Sequence, residues 1–254
     1  MRESSSVLKG VILAGGTGSR LYPLTRITNK HLLPIYDQPM IAFAIEALVK
    51  SGITELMLVT GGTHAGEFLR LLGDGHAHGL DVLAYAYQES PGGIAQALGL
   101  AERFVAGDRM AVMLADNVYE RSIRASAEAF SRQAKGARVL LSKVPEPAHL
   151  RHLGVARMNG DGRLTAIVEK PEQPPSDYAV TGLYFYDESV WHVLPRLEPS
   201  GRGELEISDV NNHYVQAGLM EYDIVPGFWG DAGESIEAYY AVNDFVRAHG
   251  ANKD

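Results

Sequence analysis

Gly10-Val-Ile-Leu-Ala-Gly-Gly-Thr-Gly-Ser-Arg20, with Lys30 further along the same connection, is the stretch whose reading decides the fold. An apolar strand feeds directly into a loop that holds Gly15, Gly16 and Gly18. Such a loop lets backbone N–H groups approach an anion closely, because no Cβ stands in the way. Arg20 and Lys30 add the charge that neutral amides lack. Together these residues read as a grip for a polyphosphate. The loop departs from two commoner patterns. A P-loop carries a Lys-Ser/Thr pair after its last glycine, whereas Arg20 follows Ser19 here. A dinucleotide fingerprint closes on a third glycine, and Leu21 holds that place, which disfavours a Rossmann oxidoreductase.

Outward from this loop, apolar strand-like runs alternate with helical ones. Residues 7–14 read as a buried strand, and residues 40–50 as a mostly apolar helix closed by Ser51-Gly52, a glycine C-cap signal. The pattern predicts strands over 56–60, 81–88, 110–115 and 138–144, with helices over 65–72, 94–104 and 122–133. Continuous apolar strands alternating with helices imply an α/β fold with a mostly parallel sheet, covered by helices on both faces. Ligands of such sheets bind at the carboxyl ends of the strands. The second half changes character. Strands over 154–158 and 163–169 flank Asn-Gly-Asp-Gly, a hairpin turn. An aromatic-rich strand over 178–186, a helix over 206–216, a strand over 220–225 and a closing helix over 234–249 follow.

The chain has 254 residues, 46% hydrophobic and 21% charged, which suits a soluble globular protein with a substantial core. It has no cysteine, so disulfides, thiolate catalysis and cysteine-bound metals are excluded. That composition is compatible with a reducing cytoplasm. A net charge of −8 lacks the basic footprint of a nucleic-acid binder, so phosphate must be met by locally placed cations. No apolar run reaches the ~20 residues of a membrane helix, and residues 1–6 carry no apolar leader.

Some residues carry chemistry by position. Asp116 follows the apolar strand directly, at the sheet edge where the glycine loop emerges. It reads as a Mg2+ ligand or as a turn aspartate. Asp231 reads equally as an N-cap of the closing helix. Gln88 and Gly93 belong to a glycine-containing loop, and an amide there offers a donor and an acceptor to a base edge. Arg202 reads equally as a surface ion-pair residue. His76 and His78 form a weak metal-like pair without a third ligand. Trp191, Tyr239 and Tyr240 read as packing groups.

Leu13-Ala-Gly-Gly-Thr-Gly-Ser-Arg-Leu-Tyr-Pro-Leu-Thr25, followed by Asn29-Lys-His-Leu-Leu-Pro-Ile-Tyr-Asp-Gln-Pro-Met-Ile41, resembles the signature of the sugar nucleotidyltransferases, most closely its glucose-1-phosphate thymidylyltransferase branch. The resemblance runs along nearly the whole chain. It implies one three-layer, Rossmann-like domain over 1–254 with a mixed, mostly parallel sheet, the first 120 residues mainly binding nucleotide and residues 121–254 mainly sugar. It makes Arg20 and Lys30 the essential cations and Asp116 and Asp231 the Mg2+ ligands. Leu13, Gly15, Gly16, Gly18, Gln88 and Gly93 take the nucleotide. Asn117, Gly154, Glu169, Lys170, Val180, Tyr184 and Arg202 take the sugar phosphate. The implied reaction joins dTTP and a hexose 1-phosphate, with glucose as the sugar, and releases pyrophosphate. A homo-oligomer, dimer or tetramer, in the cytoplasm is expected. A uridylyltransferase, a transferase for another sugar phosphate, and a nucleotide-sugar binder without turnover stand as alternatives. Retention of Arg20, Lys30, Asp116 and Asp231 argues against the last. The sequence departs from the family at His31, where glutamine is usual, and around Asp231, where Trp-Gly-Asp-Ala-Gly-Glu replaces Trp-Leu-Asp-Thr-Gly-Thr. It also ends at Asp254, so a short form without the family's further helical, allosteric segment is expected.

Overall fold

Strand β1 (Leu8–Ala14) runs through the middle of a nine-stranded sheet in the computed structural model, which describes residues 7–254. The expectation of no leader segment concerns residues 1–6, which lie outside the described residues. The other strands are β2 (Glu55–Gly61), β3 (Val82–Gln88), β4 (Arg109–Leu114), β5 (Ala137–Lys143), β6 (Gly154–Met158), β7 (Leu164–Glu169), β8 (Tyr178–Tyr186) and β9 (Met220–Ile224). β1 lies parallel between β2 and β4, and β3 extends the parallel part beyond β2. β8 reverses direction and pairs antiparallel with β4 on one edge and β5 on the other, while β9 runs parallel to β5.

One edge of β8 is shared. Its Leu183 faces Met113 of β4, whereas its Ala179 faces Val155 of β6, the first strand of the hairpin β6–β7. The sheet therefore forks beside residues 180–182. The fork opens at the carboxyl end of β4, and the cleft described below fills it.

Alternation along β1 divides the core. Ile12 packs into one apolar cluster, and Val11 and Leu13 into another on the opposite face. The helix Met40–Lys50 covers the first face with Ile41, Ile45 and Leu48. The helices Ile94–Gly99 and Ile207–Gln216 cover the second with Leu98, Val210 and Tyr214. Helices on both faces of a mixed sheet match the architecture expected from the sequence.

Three helices differ from the periodicity reading by more than one residue. The helix expected over 94–104 breaks into Ile94–Gly99 and Glu102–Val105. Leu100 N–H donates to Ala97 O and Ala101 N–H to Leu98 O, tightened turns that bury Ala101 in the core. The helix expected over 122–133 spans Arg124–Arg132. The closing helix starts at Ile236, because Ser235 caps it by accepting a 3.0 Å bond from Ala238 N–H. Asp231 is thereby free of a capping role. Periodicity also misses a two-stranded ribbon, Asn117–Tyr119 against Trp229–Asp231.

Candidate active site

The ribbon builds the centre of the cleft. Ala115 N–H donates to Leu13 O at 3.1 Å, so the chain leaving β4 stays beside β1 and its glycine loop. In the ribbon Asn117 faces Asp231, and Ala232 N–H donates to the backbone oxygen of Asp116 at 2.9 Å. Two carboxylates far apart in sequence thus share one floor. Lys30 begins a 3-10 turn whose N-cap, Asn29, accepts from His31 N–H at 2.9 Å. That turn aims Lys30 Nζ at Asp116 Oδ2, 2.5 Å away. Gly233 leaves room for the pair: a Cβ there would lie 2.3 Å from Asp116 Oδ2 and 2.8 Å from Lys30 Nζ. Asn117 is buried, and its Oδ1 accepts from Trp229 Nε1–H at 2.6 Å and from Gly182 N–H at 2.9 Å. Its amide fastens the ribbon to the forked edge of β8 and donates to Asp116 Oδ1 at 3.1 Å.

The electrostatics follow from this crowding. Burial alone would raise the pKa of Asp116, but Lys30, His31 and the Lys30 and Asn117 hydrogen bonds hold it well below the usual carboxylate range. Burial opposes the charge of Lys30, yet Asp116 and Asp231 together push its pKa up, so it stays an ammonium. Asp231 is pushed up to about 7, first by burial and then by the neighbouring Asp116 charge, with Lys30 opposing. Above about pH 7, where Asp231 ionises, two carboxylates share one lysine and leave one negative charge in excess. Among the described residues no group of three or more His, Cys, Asp or Glu side chains is arranged to hold a metal ion. A two-carboxylate set is nonetheless what Mg2+ takes when substrate oxygens and water supply the remaining ligands. The donor set and its excess charge fit that cation.

Two adjoining cavities meet at this ion pair. The first, of about 210 Å³, is walled by Arg20, Asn117, Gly154, Val180, Tyr184, Trp229 and Asp231. The second, of about 230 Å³, is walled by Leu13, Gly15, Gly16, Gln88, Gly93 and Arg202. Lys30, Asp116, Glu169 and Lys170 line both. The structure therefore gathers every residue given a substrate, metal or charge-neutralising role from the sequence except Gly18, which lines neither cavity. Gly18 shapes the loop instead: it sits at φ +65°, and Thr25 Oγ1 donates to its carbonyl at 2.8 Å. Arg20 is exposed at the rim. Lys170 holds φ +44°, unusual for a lysine, with its N–H on Leu153 O at 3.0 Å. The Glu169 carboxyl is raised by burial and by Glu206, against the pull of Lys170 and Arg202.

Other residues have roles that no sequence pattern exposed. Gln96 Oε1 accepts from Gln88 Nε2 at 2.7 Å, fixing which way the Gln88 amide faces. Its only signal was its place in the first turn of the helix that follows the glycine loop. His31 is buried on the wall of the second cavity, pairs with Asn29 Oδ1 through Nδ1, and is lowered to about 3 by burial and by Lys30. His149 pairs with Glu234 and ties the short helix Pro147–Leu150 to the loop after Asp231. His76 serves its turn through Leu80 O, 2.9 Å away.

A cleft at strand ends, with two chambers joined by a lysine–carboxylate pair beside a glycine loop, defines a transferase that handles phosphate between two substrates. The chain belongs to the nucleotidyl transferase family, whose sequence profile it matches over residues 9–249. It is similar to the glucose-1-phosphate thymidylyltransferase of Neisseria meningitidis, 42% identical over 94% of this chain and 83% of the relative. It is also similar to a Bacillus anthracis protein assigned as a glucose-1-phosphate thymidylyltransferase and crystallised with sucrose: TM-score 0.88, 46% identity, 95% of this chain and 96% of that one. A UDP-glucose pyrophosphorylase bound to UDP-glucose shares the fold at 23% identity and a TM-score of 0.81, covering 95% of this chain and 99% of its own.

Proposed function

We propose that this enzyme transfers a thymidylyl group from dTTP to a hexose 1-phosphate, glucose 1-phosphate in the first instance, yielding dTDP-hexose and pyrophosphate. The observation that carries this reading is the pair of cavities meeting at Lys30 and Asp116. One chamber would take the nucleotide and the other the sugar, so their phosphates would converge on the shared wall. The likeness to thymidylyltransferases at about 40% identity supports the choice of base and sugar.

In this reading the first half of the domain supplies the nucleotide side. Amides of the loop at Gly15 and Gly16 face the triphosphate, and Gln88, oriented by Gln96, presents its amide to the base edge. The second half supplies the sugar side: Glu169 accepts from sugar hydroxyls, Gly154 and Val180 bound the ring, and Lys170 and Arg202 meet the sugar phosphate. An oxygen of that phosphate attacks the α-phosphorus in line. The new P–O bond forms as the bond to pyrophosphate breaks, and pyrophosphate leaves with the electron pair. The nucleophile is already largely dianionic, with a second pKa of about 6, so no general base is required. Lys30 and Arg20 neutralise charge that would otherwise keep two anions apart. Mg2+ held by Asp116 and Asp231 would supply the remaining positive charge on the phosphates.

Within the same reading the enzyme works in the cytoplasm, which its lack of cysteine suits. No helix among the described residues is long and apolar enough to cross a membrane. Leu24, Leu33, Tyr36 and Tyr240 line one shallow hollow, with both tyrosines more than half exposed, and this supports a homo-oligomer. Pyrophosphate release measured with dTTP and UTP against glucose, galactose and mannose 1-phosphates tests the proposal. The highest kcat/KM is expected with dTTP and glucose 1-phosphate. Release with no pair in the panel, or only with UTP, would refute it.

A further inference from the structure

Glu206 is 9% exposed and lines both cavities, and no part of the mechanism above explains a carboxylate buried there. Its Oε1 accepts hydrogen bonds from Ser200 Oγ at 2.7 Å and from Arg202 Nη2 at 2.8 Å. From that anchor the Arg202 guanidinium reaches toward Glu169, 3.7 Å away, with Glu204 at 3.8 Å on its outer side. The backbone beneath is fixed as well. Leu205 N–H donates to Gly92 O at 2.9 Å, and Ala95 N–H donates to Leu205 O at 3.1 Å. The contact depends on Gly93, at φ +97°, where a Cβ would lie 2.5 Å from Leu205 O. The segment bearing Arg202 and Glu206 is thus stitched to the glycine loop of the second cavity.

We propose that Glu206 is a positioning residue: its ion pair anchors the Arg202 guanidinium in the second cavity, beside the Glu169 that both cavities share, ready for the sugar phosphate. The proposal rests on the sugar-phosphate reading of Arg202 given above. A half-exposed arginine left to itself samples many rotamers in water, and a phosphate binding it must freeze them. The Glu206 bond removes that freedom beforehand. A fixed guanidinium also keeps its planar face of donors turned one way, which suits bidentate contact with phosphate oxygens. Glu206 has a second effect through space. Glu169 faces Lys170, Arg202, Ser208 and Glu206, and lies near Tyr184; burial first and the Glu206 charge next raise its carboxyl. Neutralising Glu206 therefore lowers the Glu169 pKa, so Glu169 stays ionised to lower pH.

Steady-state pyrophosphate release from Glu206→Gln, Arg202→Gln and the double variant, at saturating dTTP, tests this. Glu206→Gln should raise KM for glucose 1-phosphate about tenfold, the size of one lost charge-assisted bond, with kcat within about threefold of wild type. Arg202→Gln should raise that KM at least as much. The double variant should match Arg202→Gln alone, because Glu206 acts through the arginine. The acid limb of kcat/KM should move to lower pH in Glu206→Gln. Glu206→Asp, which keeps the charge on a shorter stem, should raise KM without moving the limb. An unchanged KM in Arg202→Gln refutes the sugar-phosphate reading and this proposal with it. A raised KM in Arg202→Gln beside an unchanged one in Glu206→Gln and Glu206→Asp, or additive losses in the double variant, overturns the role of Glu206 alone.

Discussion

Replacing Asp231 by asparagine probes the charge excess at the heart of the cleft. Without metal, the Asp231 carboxyl titrates at about 7, against an ordinary 3.8. The sign of the effect follows from that difference. Below about pH 4 the group is neutral in both folded and unfolded chains and costs nothing. From there to pH 7 the unfolded chain ionises while the folded protein does not, and wild-type stability falls by about 1.4 kcal/mol per pH unit. Above pH 7 both states are ionised and the cost stays constant. Asparagine carries no such cost and keeps an oxygen for Gly233 N–H, which donates to Asp231 Oδ1 at 2.8 Å. Between pH 5 and pH 8 in EDTA, the variant should therefore gain on wild type by about 2–3 kcal/mol. For a chain of this size that is about 5–10 °C in melting temperature. Circular-dichroism melts of both proteins across this range measure it. Mg2+ should raise the wild-type melting temperature more at pH 8 than at pH 5, and should leave the variant nearly unmoved. Turnover of the variant should fall by ~100-fold or more, the scale of losing one preorganised electrostatic group. A stability gap that does not change with pH, or a variant less stable than wild type at pH 8, would refute the argument.

Other substitutions test the site piece by piece. Lys30→Ala and Arg20→Ala should each lower turnover at least ~100-fold with dTTP and glucose 1-phosphate; turnover within a few-fold of wild type in both would remove them from the machinery. Gly233→Ala places a Cβ against Asp116 Oδ2 and Lys30 Nζ, so it should cut kcat at least ~10-fold and lower the melting temperature. Wild-type kinetics in that variant would show that the ion pair has slack. Asn117→Ala strips the acceptor from the Trp229 indole and the Gly182 amide, two buried donors, and should destabilise by about 2–4 kcal/mol in urea melts. A loss under about 1 kcal/mol would mean that the fork closes without this amide.

Much of the fold was legible because burial leaves a local trace. The helices Met40–Lys50 and Ala65–Leu72 fall where the periodicity placed them, the first closed by Gly52 at φ +81°. The strand Tyr178–Tyr186 does too. The hairpin over Asn159 forms as its turn residues dictate, with Asn159 Oδ1 accepting from the N–H groups of Asp161 and Arg163. Local pattern failed where tertiary packing overrode it, as in the split after Gly99. A residue such as Ala101 fits a helix as readily as a tightened turn, and only the core it enters decides.

By itself, then, the sequence determined an alternating α/β chain, a glycine loop at the end of its first strand with Arg20 and Lys30 after it, and Asp116 at the end of another apolar strand. Each of these is a property of neighbours in the chain, and steric or periodic rules read them directly. Tertiary structure alone decided that Asp231 stands opposite Asn117, that the sheet forks beside Gly182, that Gln96 steers Gln88, and that Arg202 rests on Glu206 beside Glu169. The Trp229–Asn117 bond spans 112 positions. No periodicity encodes a pairing of that length; it exists because the closing of the whole core brings the two segments of the ribbon together.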